Sequence, residues 1–358
     1  MTTQTAPPPP AAKAEPESRM RRTLSALGAA QAYIGLVLVL AVGIATKGEM
    51  FLNETNLTNA VGAFASRGIL AVGVTLVILT GGIDLSVGSL LGISSMTAAM
   101  MLSKFSLEPW QIVPICMAVG ALFGFLNGAG TTWLRIQSFV MTLAMLSVVR
   151  GLDRQVSDNV SVGTQIAGPD GRLTPQAESF QLFGTPGHNL FEGALGAGIY
   201  YPVLAFVVVC VVFHLVLSKT RFGRHVYAVG GNPTAARLSG VNVTAVTIAV
   251  FTLSGMLAGF AGPIDAAYSA SADPLAGQSF ELDAIAAAVI GGASLAGGRG
   301  AIAGTFVGAL ILTLLDNVLG LNAVSDNWQL VIKGLIVVVA VVLQRPDLFR
   351  FLRGGKTA

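Results

Sequence analysis

The sequence predicts an all-α, polytopic membrane protein of about ten transmembrane helices. Three observations carry that prediction. The 358 residues are 53% hydrophobic and only 11% charged, against about 25% charged in a soluble domain, and the mean hydropathy is +0.72. Apolar runs of about 20 residues, the length that crosses a bilayer, recur along the whole chain. Lys and Arg gather in alternate connecting segments, as they do in proteins threaded back and forth through a membrane.

The elements follow in order. Residues 1–24 are polar and rich in Pro and Ala, with Pro7–Pro10 in a row. They bury too little apolar surface to order themselves, so a disordered cytoplasmic tail is expected. Arg19, Arg21 and Arg22 could pass for the basic region of a signal peptide, but the many later spans favour an uncleaved first helix. Candidate spans lie at 28–46, 59–80, 85–103, 112–130, 137–151, 199–217, 244–264, 283–297, 301–318 and 328–343. The fifth and eighth are short. Together they make one transmembrane domain over 25–345, followed by a basic cytoplasmic tail over 346–358.

With both termini in the cytoplasm, the inner segments hold Lys13, Arg19, Arg21, Arg22, Arg135, Lys219, Arg221, Arg224, Arg237, Arg299, Arg345, Arg350, Arg353 and Lys356. The outer segments hold five: Lys47, Lys104, Arg150, Arg154 and Arg172. The asymmetry supports that orientation and an even number of spans. The outer loop over 152–198 is long and rich in Gly, Asp and Ser; it reads either as a solvated linker or as a platform for an external partner.

Two glycine clusters interrupt the spans. Residues 81–89 read GGIDLSVGS, directly after the apolar run Ile69–Leu79, and residues 291–300 read GGASLAGGRG. Helices are expected to be discontinuous near 80–86 and 290–300, because backbone that leaves a helix inside a membrane must be satisfied internally or face a watery cavity. Glycines with one acidic residue at such a break mark a transport site or a tight turn between spans. Asp84 either caps the helix that follows or hydrogen-bonds a hydroxyl in transit.

The inner loop over 218–243 contains four basic residues and no acidic one. Asn232-Pro233 starts a short helix over Thr234–Leu238, since Asn caps and Pro suits the first turn, and Gly240 stands where it ends. Such an element suits docking into a cytosolic partner. Small residues repeat every four positions at Gly120, Gly124 and Gly128, at Gly255 and Gly259, and at Gly304 and Gly308. These faces let helices approach closely, within one chain rather than at a dimer seam.

Other chemistries are not indicated. Cys116 and Cys210 sit in apolar runs, and His188, His214 and His225 are scattered, so no metal site is expected. No phosphate-binding GxxxxGK[ST] occurs. Arg67 lies inside its span; Asp265, Asp316 and Lys333 lie near outer span ends, where long side chains snorkel. One carboxylate at a helix break is thin provision for a proton relay. Any uphill transport therefore draws its energy from a partner.

LTGGIDLSVGS (Leu79–Ser89), RFGRHVYAVGGNPTAARLSGVNV (Arg221–Val243), ELDAIAAAVIGGASLAGGRG (Glu281–Gly300) and SFVMTLAMLSVVRGL (Ser138–Leu152) together resemble the permease subunits of bacterial ABC importers for monosaccharides, of the ribose/xylose/galactose type. Thr234-Ala235-Ala236 with Gly240 is similar to the "EAA…G" coupling pattern of importer permeases, with Thr in place of Glu. Gln137-Ser138 departs from the family, which often has proline before the Phe. The resemblance runs from about residue 50 to 343.

That resemblance implies a multi-pass permease of the bacterial inner membrane, acting as a homodimer. It implies a separate ABC ATPase that holds ATP and Mg, an extracytoplasmic sugar-binding protein, and no enzymatic activity, cofactor or nucleic acid on this chain. Thr80, Gly81, Gly82, Asp84, Ser86, Ser89, Ser138, Phe139 and Thr142 become candidates for the sugar pathway. Gly230, Gly231, Asn232, Thr234, Ala235, Ala236 and Gly240 become candidates for coupling to the ATPase. An ion-gradient-driven secondary transporter is the alternative.

Overall fold

The computed structural model describes residues 19–184 and 200–343. Of the expected tail over 1–24, residues 1–18 lie outside the described residues and 19–24 belong to the first helix; the expected tail over 346–358 and the outer-loop stretch 185–198 also lie outside them. The fold is helical: α1 (Arg19–Phe51), α2 (Glu54–Leu79), α3 (Val87–Phe105), α4 (Pro109–Thr132), α5 (Ser138–Val156), α6 (Pro175–Gln181), α7 (Tyr201–Lys219), α8 (Arg221–Gly231), α9 (Pro233–Leu238), α10 (Val243–Tyr268), α11 (Phe280–Ile290), α12 (Ile302–Leu321) and α13 (Asp326–Leu343). Two short strands, β1 (Val162–Gly163) and β2 (Ser271–Ala272), pair antiparallel.

Each of the ten expected spans is helical. Six helices are long and apolar enough to cross a membrane: α1, α2, α4, α7, α10 and α12. The eighth span differs from expectation. It was read over 283–297, but α11 stops at Ile290. Eleven residues span about 16 Å at 1.5 Å per residue, roughly half a bilayer core. After Ile290, Ala293, Leu295 and Ala296 are interleaved with five glycines over 291–300, and glycine ends the helix.

α2 is the central post: 83% of its apolar window is buried, against 17% for α1 and 28% for α7. Apart from Arg67, its buried stretch is almost wholly apolar or small, as suits a helix surrounded by protein. The outer helices expose apolar side chains instead, including Val37 and Leu38 on α1, Val208 and Val211 on α7, and Leu335 and Val338 on α13. That surface suits lipid rather than water.

The glycine stripes pack within the chain. A Cβ on Gly120 or Gly124 would collide with the Gly255 and Phe251 carbonyls of α10, and one on Gly308 with the Ala287 carbonyl of α11. Backbones therefore meet directly, α4 on α10 and α12 on α11. Free Cys116 is buried on α4 beside Phe180, and Cys210 is half-buried.

The described part of the outer loop is folded, not a solvated linker. β1 joins it to β2, Thr174 caps α6 by accepting from Ala177 N (3.3 Å), and Phe180 is fully buried among Ala98, Leu102, Ile112 and Ala266. The inner loop also holds more helix than expected. Besides α9 it contains α8, whose Phe222, Val226 and Val229 form one apolar face.

Candidate functional site: a glycine junction below a re-entrant polar segment

Three helices end in the same way. At the end of α2, Gly81 has φ +80, Gly81 N–H donates to the Ile78 carbonyl (2.8 Å) and Gly82 N–H to the Val77 carbonyl (3.1 Å). Gly292 (φ +93) with Ala293 closes α11 through the same pair of bonds, and Gly240 (φ +84) with Val241 closes α9. This closure needs a left-handed residue just past the helix, which is why glycine stands there.

Two of these ends meet each other. Gly298 N–H donates to the Leu79 carbonyl (2.9 Å), so the two glycine clusters of the sequence are neighbours in space. The end of α8 fits between them. A Cβ on Gly230 would collide with the Leu79 carbonyl oxygen and lie 2.5 Å from Gly298 N. Tyr227, one turn earlier, donates from its hydroxyl to the Gly300 carbonyl (2.9 Å). Gly231, by contrast, faces open space.

α9 projects from this junction. Asn232 Oδ1 accepts from Ala235 N (3.0 Å) and Pro233 occupies the first turn. Of α9 only Ala236 is buried; Thr234 and Ala235 are exposed and Leu238 is 85% exposed. This six-residue helix thus offers an apolar tip, Leu238, to its surroundings.

Beyond the junction the chain turns back into the bundle. Thr80 caps α2, its hydroxyl donating to the Val77 carbonyl (2.8 Å). Residues 82–86 then run without helix until α3 begins at Val87. Asp84 is fully buried. Its Oδ1 accepts from Ser86 N (3.0 Å) and Ser86 Oγ (2.6 Å), and its Oδ2 accepts from Ser254 Oγ (3.0 Å). Ser254 sits near the middle of α10, so α3 starts well inside the bundle. Asn127 of α4 donates to Ser86 Oγ (2.8 Å), and Ser89 donates to the Ser86 carbonyl (2.8 Å).

The re-entrant segment is also tied to α5. Ile83 N–H donates to Ser138 Oγ (3.2 Å), and Thr142 Oγ1 donates to the Ile83 carbonyl (3.2 Å). Of the candidate pathway residues, Asp84, Ser86, Ser89 and Thr142 are fully buried. Thr80, Gly82 and Ser138 are half-buried, while Gly81 and Phe139 are exposed. The structure thus gathers Asp84, Ser86, Ser89, Ser138 and Thr142 into one web and sets Phe139 on the outer face of α5.

Several residues of this site have no local signal in the sequence. Asn127 and Ser254 join Asp84 from helices far along the chain. Arg150 Nη1 donates to the Ala276 carbonyl (2.6 Å) and lies with buried Asp153 over Gly92. Arg67, which lies inside its span, and Asp316 and Lys333, expected to snorkel, are paired inside the bundle instead, together with Asp283. Arg67 Nη1 reaches Asp316 Oδ2 (2.6 Å), and Lys333 Nζ reaches Asp316 Oδ2 (3.0 Å) and Asp283 Oδ2 (3.1 Å). Pairing wins because charge inside a bundle is stabilised by opposite charge and not by distant water.

A family model described as branched-chain amino acid transport system / permease component matches residues 56–341. The ribose import permease protein RbsC of Escherichia coli K12 is 40% identical over 310 residues, covering 87% of this chain and 91% of that protein. The ribose import permease protein RbsC of Bacillus subtilis 168 is 41% identical over 314 residues, with the same coverage. The xylose transport system permease protein XylH of Haemophilus influenzae is 35% identical, covering 87% of this chain and 95% of that protein. No solved structure matches the chain. With the family model spanning most of its length, the chain belongs to this family of transport-system permease components: it is a multi-pass membrane permease subunit, not an enzyme.

Proposed function

We propose that this permease moves a monosaccharide or similar polyol inward across the bacterial inner membrane, powered by a separate ABC ATPase. The carrying observation is the seat of Gly230. α9 presents its exposed face to the cytoplasm, where the ATPase docks, and α8 presses its last turn onto the Leu79 carbonyl and Gly298 without room for a methyl group. Rigid backbone contact passes displacement on, since close-packed interiors do not absorb it. The contact reaches the re-entrant segment, and through Ser138, Thr142 and Ser254 it reaches α5 and α10.

The remaining assignments follow this reading. Gly230, Gly231, Asn232, Thr234, Ala235, Ala236 and Gly240 form the coupling surface. Thr80, Gly81, Gly82, Asp84, Ser86, Ser89, Ser138, Phe139 and Thr142 belong to the pathway wall and its hinge. ATP and Mg are held by the partner ATPase. An extracytoplasmic binding protein delivers the sugar, two copies of this chain enclose the pathway, and both termini lie in the cytoplasm. Ribose is the sugar to test first, because relatives named for it share 40 and 41% of residues against 35% for the one named for xylose.

The experiment is uptake of labelled ribose, xylose, galactose and inositol by a strain lacking its own permeases, complemented with this chain and its partners. Entry of one solute that stops when ATP is depleted, and survives a protonophore while ATP is maintained, is the expected result. Uptake that follows the proton gradient would overturn the ATP-driven reading.

A further inference from the structure

We propose that Lys333 and Asp283, with Arg67 and Asp316 behind them, form a charge lock that positions the half-helix α11 for transport. α11 is too short to hold its own depth in a bilayer: eleven residues cover about half of the core. Its start must therefore be fixed by something other than length. The first turn of α11 carries two contacts that do this. Asp283 receives Lys333 Nζ on both carboxylate oxygens, at 3.2 and 3.1 Å. Phe280, the first residue of α11, lies under the Arg67 guanidinium at 4.7 Å from ring centroid.

The two contacts are one network. Asp316 Oδ2 accepts from both Arg67 (2.6 Å) and Lys333 (3.0 Å), so four helices, α2, α11, α12 and α13, share two cations and two carboxylates. All four side chains are largely buried, from 12% exposed for Asp283 to 28% for Arg67. Ionisable groups at membrane depth are expensive to keep and as a default mark function. Each charge in this set has an opposite charge in contact, which is what permits it inside the bundle, and Asp265 of α10 adds a further carboxylate near Arg67.

Lys333 comes from a helix that packing barely holds. Among the described side chains of α13 only Ala340 is buried, while Trp328, Leu335, Val338 and Val339 are exposed. The lysine is the polar attachment of α13 to the bundle, and that attachment lands on α11. Position matters there because the start of α11 abuts the start of α3. A Cβ on Gly88 would collide with the Gly277 carbonyl and with Glu281 Oε2, and one on Gly277 with the Gly88 carbonyl. A shift of α11 is therefore felt at once by α3 and by the Asp84 segment that precedes it.

The inference rests on the transport reading only for the solute that is measured, and wild-type uptake is the control that belongs to that reading. The test compares Lys333→Met, Lys333→Arg and the double variant Asp283→Asn with Lys333→Met, each in the complete transporter. Uptake is expressed per permease molecule in the membrane. Lys333→Met leaves Asp283 unpaired and is expected to reduce membrane abundance. The double variant restores charge balance without the link, leaving Arg67 with Asp316. It is expected to recover abundance yet lose about tenfold in maximal uptake, the usual size of a broken coupling. Its half-saturating sugar concentration should be unchanged. Lys333→Arg keeps the cation and should stay close to wild type. Wild-type uptake per molecule in the double variant would overturn the proposal and reduce the network to a folding aid.

Discussion

Replacing Gly230 by Ala is the sharpest perturbation this structure offers. The added methyl would occupy space held by the Leu79 carbonyl and lie 2.5 Å from Gly298 N, where backbone cannot swing aside. Forcing one carbon into such a contact costs about 1–3 kcal/mol. Separating Leu79 from Gly298 also weakens their 2.9 Å hydrogen bond, worth about 1 kcal/mol. Alanine favours the helix over glycine by about 0.5–1 kcal/mol, which offsets part of this. The net cost is about 1–3.5 kcal/mol, placed on the contact that joins α8 to the end of α2. Gly320→Ala on α12 supplies the control, because nothing lies within 4 Å of its added carbon and it stands outside the coupling surface. The assay is initial uptake rate per permease in the membrane, beside sugar-stimulated ATP hydrolysis by the assembled transporter. Gly230→Ala should cut uptake about tenfold or more, in proportion to that cost, and leave ATP hydrolysis poorly coupled. Gly320→Ala should match wild type. Unchanged uptake per molecule in Gly230→Ala would refute the transmission argument, even if less protein reached the membrane.

Three further outcomes are expected. Gly240→Asp adds about 1 kcal/mol of left-handed strain at an exposed turn, so the protein should still fold and insert while uptake falls; normal uptake would remove α9 from the coupling surface. Asp84→Asn keeps an acceptor for Ser86 and gains a donor for Ser254 Oγ, so uptake should stay within a few-fold of wild type, whereas Asp84→Leu strands buried hydroxyls at about 1–3 kcal/mol each and should lower thermal stability. Transport lost in a stably folded Asp84→Asn variant would assign the carboxylate itself to the solute. Gly124→Leu drives a side chain into the Phe251 carbonyl of α10 and should abolish membrane accumulation, read by immunoblot, because the α4–α10 seam has no room.

What was legible in the sequence was what repeats locally. Apolar runs showed ten helical segments, and a capping Asn, a Pro and a following Gly showed α9 to within a residue of its ends. GGIDLSVGS announced the break after α2, because a glycine in left-handed conformation and a polar run have few other uses between apolar segments. The break expected near 290–300 falls where α11 stops, at Ile290, but the span edge at 297 is too long: Ala293, Leu295 and Ala296 keep the run apolar while Gly292, Gly297 and Gly298 break the backbone. α8 was missed for a related reason, since Gly223, Gly230 and Gly231 lower its helix propensity although Phe222, Val226 and Val229 repeat at helical spacing. Partners from distant helices left no local trace at all. Nothing near Asp84 names Ser254 or Asn127, and nothing near Lys333 names Asp283.

Those distant partners also weigh on how the transporter is driven. A carrier that runs on protons needs a carboxylate free to take up and release them along the path. Asp84, the carboxylate at the helix break, has both oxygens engaged by Ser86 and Ser254, and Asn127 completes the web through Ser86. Asp283 and Asp316 are matched by Lys333 and Arg67 at the other end of α2's buried stretch. These three carboxylates are committed to positioning and poorly placed to carry protons, whereas buried Asp153 lies outside both sets of contacts, beside Arg150 over Gly92. The fixed contacts run elsewhere: from an exposed six-residue helix, through a glycine with no space beside it, to a re-entrant segment tied to three helices. On the proposed reading, that is the arrangement an ATP-driven permease needs to take up displacement from a partner.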